Sequence, residues 1–180
     1  MSFDDAMEQE YGEKSRVHLS AAPEVERRVA EVERQAAAVD LDRTLRHRVI
    51  WSGEQEVFDD DREIRKIRKN ERPAPGKPVA YVYYYDGGHV SLIRVLWNAA
   101  AQPGEDEERF YFDRNALPPL IRWVGRGGRA AESWDPYRED GHGRAIHDQP
   151  RELMRNAIES RVCDHAPSSI PCKRLGFRPP

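Results

Sequence analysis

The sequence predicts an α+β fold. An antiparallel β-sheet of four to six strands, arranged as a meander, carries an N-terminal amphipathic helix on one face and ends in a C-terminal helix. The central observation is a hairpin, because two β-rich segments, 79–85 and 89–97, flank Asp86-Gly87-Gly88. Such a pair of glycines supplies the positive φ angles of a tight turn. The second observation is the helical spacing of apolar residues over 23–39.

The hairpin predicts which side chains share a face of the sheet. A two-residue loop at Asp86-Gly87 or at Gly87-Gly88 gives the same pairing parity. One face then carries Tyr81, Tyr83, Tyr85, Val90, Leu92 and Leu96, and the other carries Ala80, Val82, Tyr84, Ile93, Val95 and Trp97. Both faces are largely apolar, which favours a strand pair covered on two sides.

The first half of the chain predicts a tail, a helix and two or more strands. Residues 1–19 are acidic and lack periodicity, which is typical of a flexible tail. Pro23 suits the start of the helix 23–39. A strand is predicted at 48–51, with Val57 and Phe58 re-entering the sheet, whereas acidic residues before basic ones predict a short helix over 59–69.

The second half predicts two more strands, a long loop and a helix. Phe110 and Phe112 on one face, with Tyr111 on the other, favour a strand at 109–113, and 120–124 is predicted as its partner strand. Residues 129–149 form an irregular loop of a length that is often functional. A helix over 150–162 directs Leu153, Ala157 and Ile158 inward, and the prolines of 163–180 predict an extended tail. A single domain over 20–162 is therefore expected between two tails.

Three motifs carry a resemblance that spans residues 23–162. They are Tyr-Tyr-Tyr-Asp-Gly-Gly at 83–88, Arg-Phe-Tyr-Phe-Asp at 109–113 and Leu-Ile-Arg-Trp-Val at 120–124. This succession resembles small bacterial β-meander proteins of unassigned function, although Pro118-Pro119 departs from their tight turn. The resemblance implies an architecture and transfers no functional residue.

Composition restricts the partners of the protein. The 29 basic and 32 acidic residues give a net charge of -3, which provides no global attraction for nucleic acid or an anionic membrane. A secretory leader and an apolar span are not recognisable, so we expect a soluble, cytoplasmic protein. In a reducing cytosol Cys163 and Cys172 are expected as thiols, with a bridge as the less favoured alternative.

A metal site and an enzyme are alternatives that the sequence leaves open. Cys163, His165 and Cys172 have the donor atoms for zinc, with His142 or His147 nearby, but the cysteines are nine residues apart instead of two to four. His142 and His147 could also support acid/base chemistry in a small metal-dependent enzyme. No nucleophile or phosphate-binding motif accompanies them, so we expect no cofactor.

The favoured function is a non-enzymatic protein-binding module of the adaptor, immunity or regulatory kind. It would bind another protein, or a second copy of itself as an oligomer, through an aromatic sheet face and the 129–149 loop. The interface candidates are Tyr81, Tyr83, Tyr85, Trp97, Trp123 and Trp134. A nucleic-acid-associated protein is the alternative, less favoured because neighbouring acids neutralise its basic residues, which are Arg62, Arg65, Lys66, Arg68 and Lys69.

Overall fold

The fold is α+β with a meander-like antiparallel sheet, as predicted. The computed structural model describes residues 17–71, 79–98, 106–128, 130–131, 133–134 and 143–179. Within these ranges the main sheet has eight strands whose spatial order follows the chain. They are β2 (Arg46–Ile50), β3 (Gln55–Asp59), β4 (Ile64–Glu71), β5 (Val79–Asp86), β6 (His89–Leu96), β7 (Glu107–Phe112), β8 (Leu120–Val124) and the two-residue β9 (Ala130–Ala131). The count exceeds the predicted four to six.

The remaining elements lie around this sheet. A separate two-stranded sheet joins β1 (Val17–His18) to β10 (Ser133–Trp134). The helices are α1 (Pro23–Leu41), α2 (Gly143–His147), α3 (Gln149–Ser160) and α4 (Ile170–Arg174). None of the helices in the described residues is long and apolar enough to cross a membrane. Most of the predicted tail 1–19 and the centre of the predicted loop 129–149 lie outside the described residues.

The predicted helix over 59–69 is wrong, because this segment ends β3 and continues as β4. Ile64 and Ile67 are three residues apart, a spacing that suggested a helix. In the structure Phe58 pairs with Lys66 and Asp59 pairs with Ile64, so Arg65 is the extra residue of a β-bulge. The bulge places both isoleucines on one buried face, and it reproduces a helix-like spacing within a strand.

The central hairpin forms as predicted, but its face assignment was wrong beyond the turn. Asp86 pairs with His89 across Gly87-Gly88, whose φ angles are 56° and 79°. Tyr85 pairs with Val90 and Tyr84 pairs with Leu92, so Ser91 is the extra residue of a second bulge. Consequently Tyr81, Tyr83 and Tyr85 share their face with Val90, Ile93 and Val95, whereas Leu92 and Leu96 join Val82 and Tyr84.

The main sheet is covered on both sides. On one side, called here the α1 face, Val32, Ala36 and Val39 of α1 pack against β5 to β8 through Val82, Tyr84, Leu92, Tyr111 and Ile121. The predicted apolar stripe of this helix is thereby confirmed. On the opposite face Leu153 and Ala157 of α3, with Ile146 and Leu175, cover a larger core that includes Tyr83, Ile93 and Phe110. Ile158 was predicted to face this core, but it is 52% exposed.

The C-terminal residues are not the extended tail that their prolines suggested. A 3-10 turn (Arg161–Asp164) follows α3, and α4 comes next. Cys163 and Cys172 form a disulfide across this segment, so the expectation of two thiols was wrong. The chain then returns to β2, where Arg178 forms a β-bridge with Val49 and Leu175 is buried. Burial of Leu175 gives the segment an anchor that proline content alone does not reveal.

Candidate functional site

Four of the six predicted interface aromatics are core residues. Tyr81, Tyr83, Tyr85 and Trp134 are 5% exposed or less. The Tyr83 hydroxyl donates to the Ala145 carbonyl at 3.0 Å, and the Tyr85 hydroxyl donates to the Pro150 carbonyl at 3.0 Å. Burial raises the pKa of both hydroxyls. The C-terminal helices therefore occupy the face that we expected to receive a partner.

The two remaining candidates are partly buried against the same core. Trp97 and Trp123 pack on its edge. The Trp97 indole donates to Glu108 at 2.9 Å, and the Arg126 guanidinium lies 4.8 Å from the Trp97 ring centroid. Trp123 stacks on Phe110 with a centroid distance of 6.3 Å. Neither ring belongs to an open aromatic face.

The basic segment is divided between the two faces of the sheet by strand alternation. Lys66 and Arg68 lie on the α1 face, and Lys69 lies on the opposite face, where its ammonium is 2.5 Å from Glu71. Lys66 is 2.9 Å from Asp40, and Arg65 pairs with Glu63. Arg62 lies in the exposed turn before β4. Strand formation therefore prevents a continuous cationic stripe along this segment.

The predicted metal ligands do not form a coordination sphere. The sulfurs of Cys163 and Cys172 are bonded to each other, and His165 is exposed. Among the residues described, no group of three His, Cys, Asp or Glu side chains is placed to hold a metal ion. His142 lies outside the described ranges. His147 packs on Trp134 at 5.3 Å, and its burial lowers the pKa of the imidazole more than nearby Asp148 raises it.

The structure places an accessible surface on the α1 face instead. The apolar contacts of α1 reach β5 to β8, whereas β2, β3 and β4 extend beyond this helix. We call five of the side chains that these three strands present there the open half-face: His47, Glu56, Phe58, Lys66 and Arg68. His47 is exposed, and the other four are partly exposed. This surface was not predicted from the sequence, because a helix over 59–69 does not place Lys66 and Arg68 beside Phe58 on a sheet.

Phe58 is the centre of the open half-face. Its ring stacks on His47 with a centroid distance of 4.6 Å. From the neighbouring strand, the Lys66 ammonium lies 4.3 Å from the Phe58 centroid, a cation–π geometry. The imidazole of His47 also lies 3.2 Å from Glu56. These cross-strand contacts hold the aromatic ring between two polar side chains in a fixed orientation.

A cleft of about 230 Å³ separates the open half-face from the end of α1. Its lining includes Phe58, Lys66 and Arg68 from the open half-face, Asp40 from α1 and Arg94 from β6. The lining contains both acidic and basic side chains, together with the apolar Val82 and Leu96. The arrangement suits a partner that presents both charges and apolar surface.

Ion pairs and hydrogen bonds fix the helix that borders the cleft. Asp40 accepts from the Tyr84 hydroxyl at 2.9 Å and pairs with Lys66. About two helical turns earlier in α1, the Glu33 carboxylate accepts from the Tyr111 hydroxyl at 2.5 Å and from the Arg94 guanidinium at 2.6 Å. Burial alone would raise the pKa of Glu33, but the Tyr111 hydrogen bond and the arginines outweigh it and hold this pKa below its ordinary value.

No protein-family model, curated protein or solved structure matches the chain. The open half-face combines a partly exposed aromatic ring, both signs of charge and a neighbouring cleft.

Proposed function

We propose that the protein is a non-enzymatic protein-binding module whose contact surface is the open half-face. The observation that carries this proposal is Phe58, an aromatic ring held between His47 and Lys66 on the part of the sheet that α1 leaves uncovered. Aromatic and arginine side chains dominate the energetics of protein interfaces. The buried tyrosines of the opposite face have no part in this contact.

Preorganised charge supports a protein partner. Lys66 is held by Asp40 at 2.9 Å, and Arg68 donates to Asn70 at 3.0 Å while lying 3.7 Å from Glu56. Side chains fixed before binding lose little conformational entropy when a partner arrives. A surface that carries both signs of charge is complementary to another protein surface of mixed charge.

The same pairing disfavours nucleic acid as the partner. Lys66 and Arg68 already lie beside carboxylates, so the phosphates of a duplex would compete with Asp40 and Glu56. The net charge of -3 adds repulsion at long range. A second copy of the chain and a different protein both remain compatible with the surface.

The test is a quantitative capture experiment with matched variants. Tagged wild-type chain, the variant Phe58→Asp with Arg68→Glu, and the control Leu117→Asp would be incubated with native cell extract. Leu117 is 98% exposed and lies away from the open half-face, in the connection between β7 and β8. Light scattering of the purified proteins would show whether the partner is a second copy.

We expect the wild type and Leu117→Asp to retain the same protein, or to form the same oligomer, and the double variant to lose it at least tenfold. Circular dichroism melts should establish that all three chains fold equally. Equal retention by all three would refute the open half-face as the contact surface. Retention of nothing above the tag alone, together with a monomeric wild type, would refute the binding function.

A further inference from the structure

The C-terminal residues cover the outer edge of the sheet. We call residues 170–178 the strap. The Trp51 amide, directly after β2, donates to the Leu175 carbonyl at 2.6 Å, and the Ser52 amide donates to the Gly176 carbonyl at 3.2 Å. The Arg178 amide donates to the Val49 carbonyl at 3.2 Å. The strap thus satisfies backbone groups that an edge strand otherwise leaves unpaired.

The strap also completes the core behind this edge. Leu175 is 1% exposed and belongs to the same cluster as Ile50, and Phe177 packs against that cluster. Gly176 has a φ of 57°, and a Cβ at this position would lie 3.1 Å from the backbone nitrogen of Ser52. The close approach of the two backbones therefore depends on glycine.

The disulfide fastens the strap to a rigid part of the fold. Cys163 follows α3 and Cys172 lies in α4, so the bond joins the strap to the segment that precedes it. That segment is anchored to β2 and β3, because Arg161 lies 2.9 Å from Asp59 and Asp164 lies 3.1 Å from Arg48. The exposed ion pair between Arg174 of the strap and Glu159 of α3 contributes little.

We propose that the strap is a redox-sensitive cover of the β2 edge. A thiol reductant that attacks the bond delivers two electrons and two protons to Cys163 and Cys172, and its own two sulfurs become joined. Reduction removes the constraint on a closed loop of about ten residues, which corresponds to a factor on the order of 100 in the equilibrium between docked and released strap. Release frees the amides of Trp51 and Ser52, the groups with which an extended peptide segment can pair.

Amide hydrogen exchange on the full chain tests this proposal directly. Exchange would be followed by NMR on the oxidised protein, the protein reduced with dithiothreitol, and the variant Cys163→Ser with Cys172→Ser. We expect the amides of Trp51, Ser52 and Arg178 to exchange on the order of 100-fold faster in both states that lack the disulfide. The central amides of Tyr83 and Ile93 should retain their protection.

Two outcomes of that experiment overturn the proposal. Changes below threefold at the amides of Trp51, Ser52 and Arg178 would mean that the disulfide does not hold the strap. An equal loss of protection at Tyr83 and Ile93 would mean that the bond stabilises the whole fold instead of the strap.

A second variant releases the strap with the disulfide intact. Gly176→Ala introduces a Cβ against the Ser52 backbone, so the oxidised variant should show the same faster exchange at Trp51 and Ser52. Unchanged protection would overturn the docking geometry on which the proposal depends. Neither experiment involves the open half-face, so the proposed binding function stands or falls separately.

Discussion

Replacing Leu92 or Ile93 with alanine should destabilise the protein to a similar extent, although these neighbours point to opposite faces of β6. Both side chains are fully buried. Leu92 packs with the α1 cluster, and Ile93 packs with the cluster beneath α3. The central hairpin is therefore two-sided core, and neither of its faces is reserved for a partner.

The magnitude follows from the burial. Each substitution removes three carbons at about 0.8 kcal/mol per buried methylene, or about 2.4 kcal/mol of transfer free energy. A cavity that closes only partly adds to this loss, so we expect about 3 to 5 kcal/mol for each variant. This is a large fraction of the roughly 5 to 15 kcal/mol that stabilises a typical domain.

Urea unfolding followed by tryptophan fluorescence would measure both changes. The matched controls are Leu41→Ala, at a residue 80% exposed, and Ile158→Ala, at a residue 52% exposed, and each should cost less than about 1 kcal/mol. A loss below about 1 kcal/mol for either Leu92→Ala or Ile93→Ala would refute the two-sided core. It would instead restore one hairpin face as a candidate interface.

Two further predictions concern charged groups. Arg48→Met should lower the free energy of unfolding in urea by about 3 to 5 kcal/mol, because Asp59, only 1% exposed, loses a partner at 2.5 Å. Adding Asp59→Leu should recover part of this stability. A loss below about 1 kcal/mol for the single variant would contradict the buried pair. The lowered pKa of Glu33 means that its stabilising contribution is complete above the ordinary glutamate pKa and is lost as the pH falls through the lowered value. Stability measured between about pH 5 and pH 3 should therefore fall more steeply in the wild type than in Glu33→Gln, and equal slopes would contradict the assignment.

The sequence predicts those elements whose spacing is regular. The stripe of α1 and the Gly87-Gly88 turn depend on local periodicity and φ preference, and both appear where expected. The bulges at Arg65 and Ser91 each change the pairing by one residue, and the predicted face assignments beyond Ser91 are reversed. The alternating pattern of a single strand does not reveal a bulge, because the extra residue is defined only by its pairing with the partner strand.

The candidate site was predicted less well, because it depends on long-range packing. From its local sequence Tyr83 is a plausible interface residue. Helices α2 and α3, more than sixty residues later, cover it, and the Ala145 carbonyl accepts a hydrogen bond from its hydroxyl. The disulfide has the same origin, since Cys163 and Cys172 meet only because α4 turns back beside α3. Phe58 is partly exposed because α1 packs on β5 to β8 and does not reach β3.

In this chain, of which 34% is charged, ion pairs fix the positions of the helices on the sheet. The stripe of α1 consists of valine and alanine, small side chains that allow a helix to slide along a sheet. Glu33 and Asp40 remove that freedom, because each accepts a tyrosine hydroxyl and pairs with cations from the sheet. Arg48 and Asp59 fix the segment after α3 in the same way. These ion pairs hold α1 in place beside the cleft that Asp40 lines.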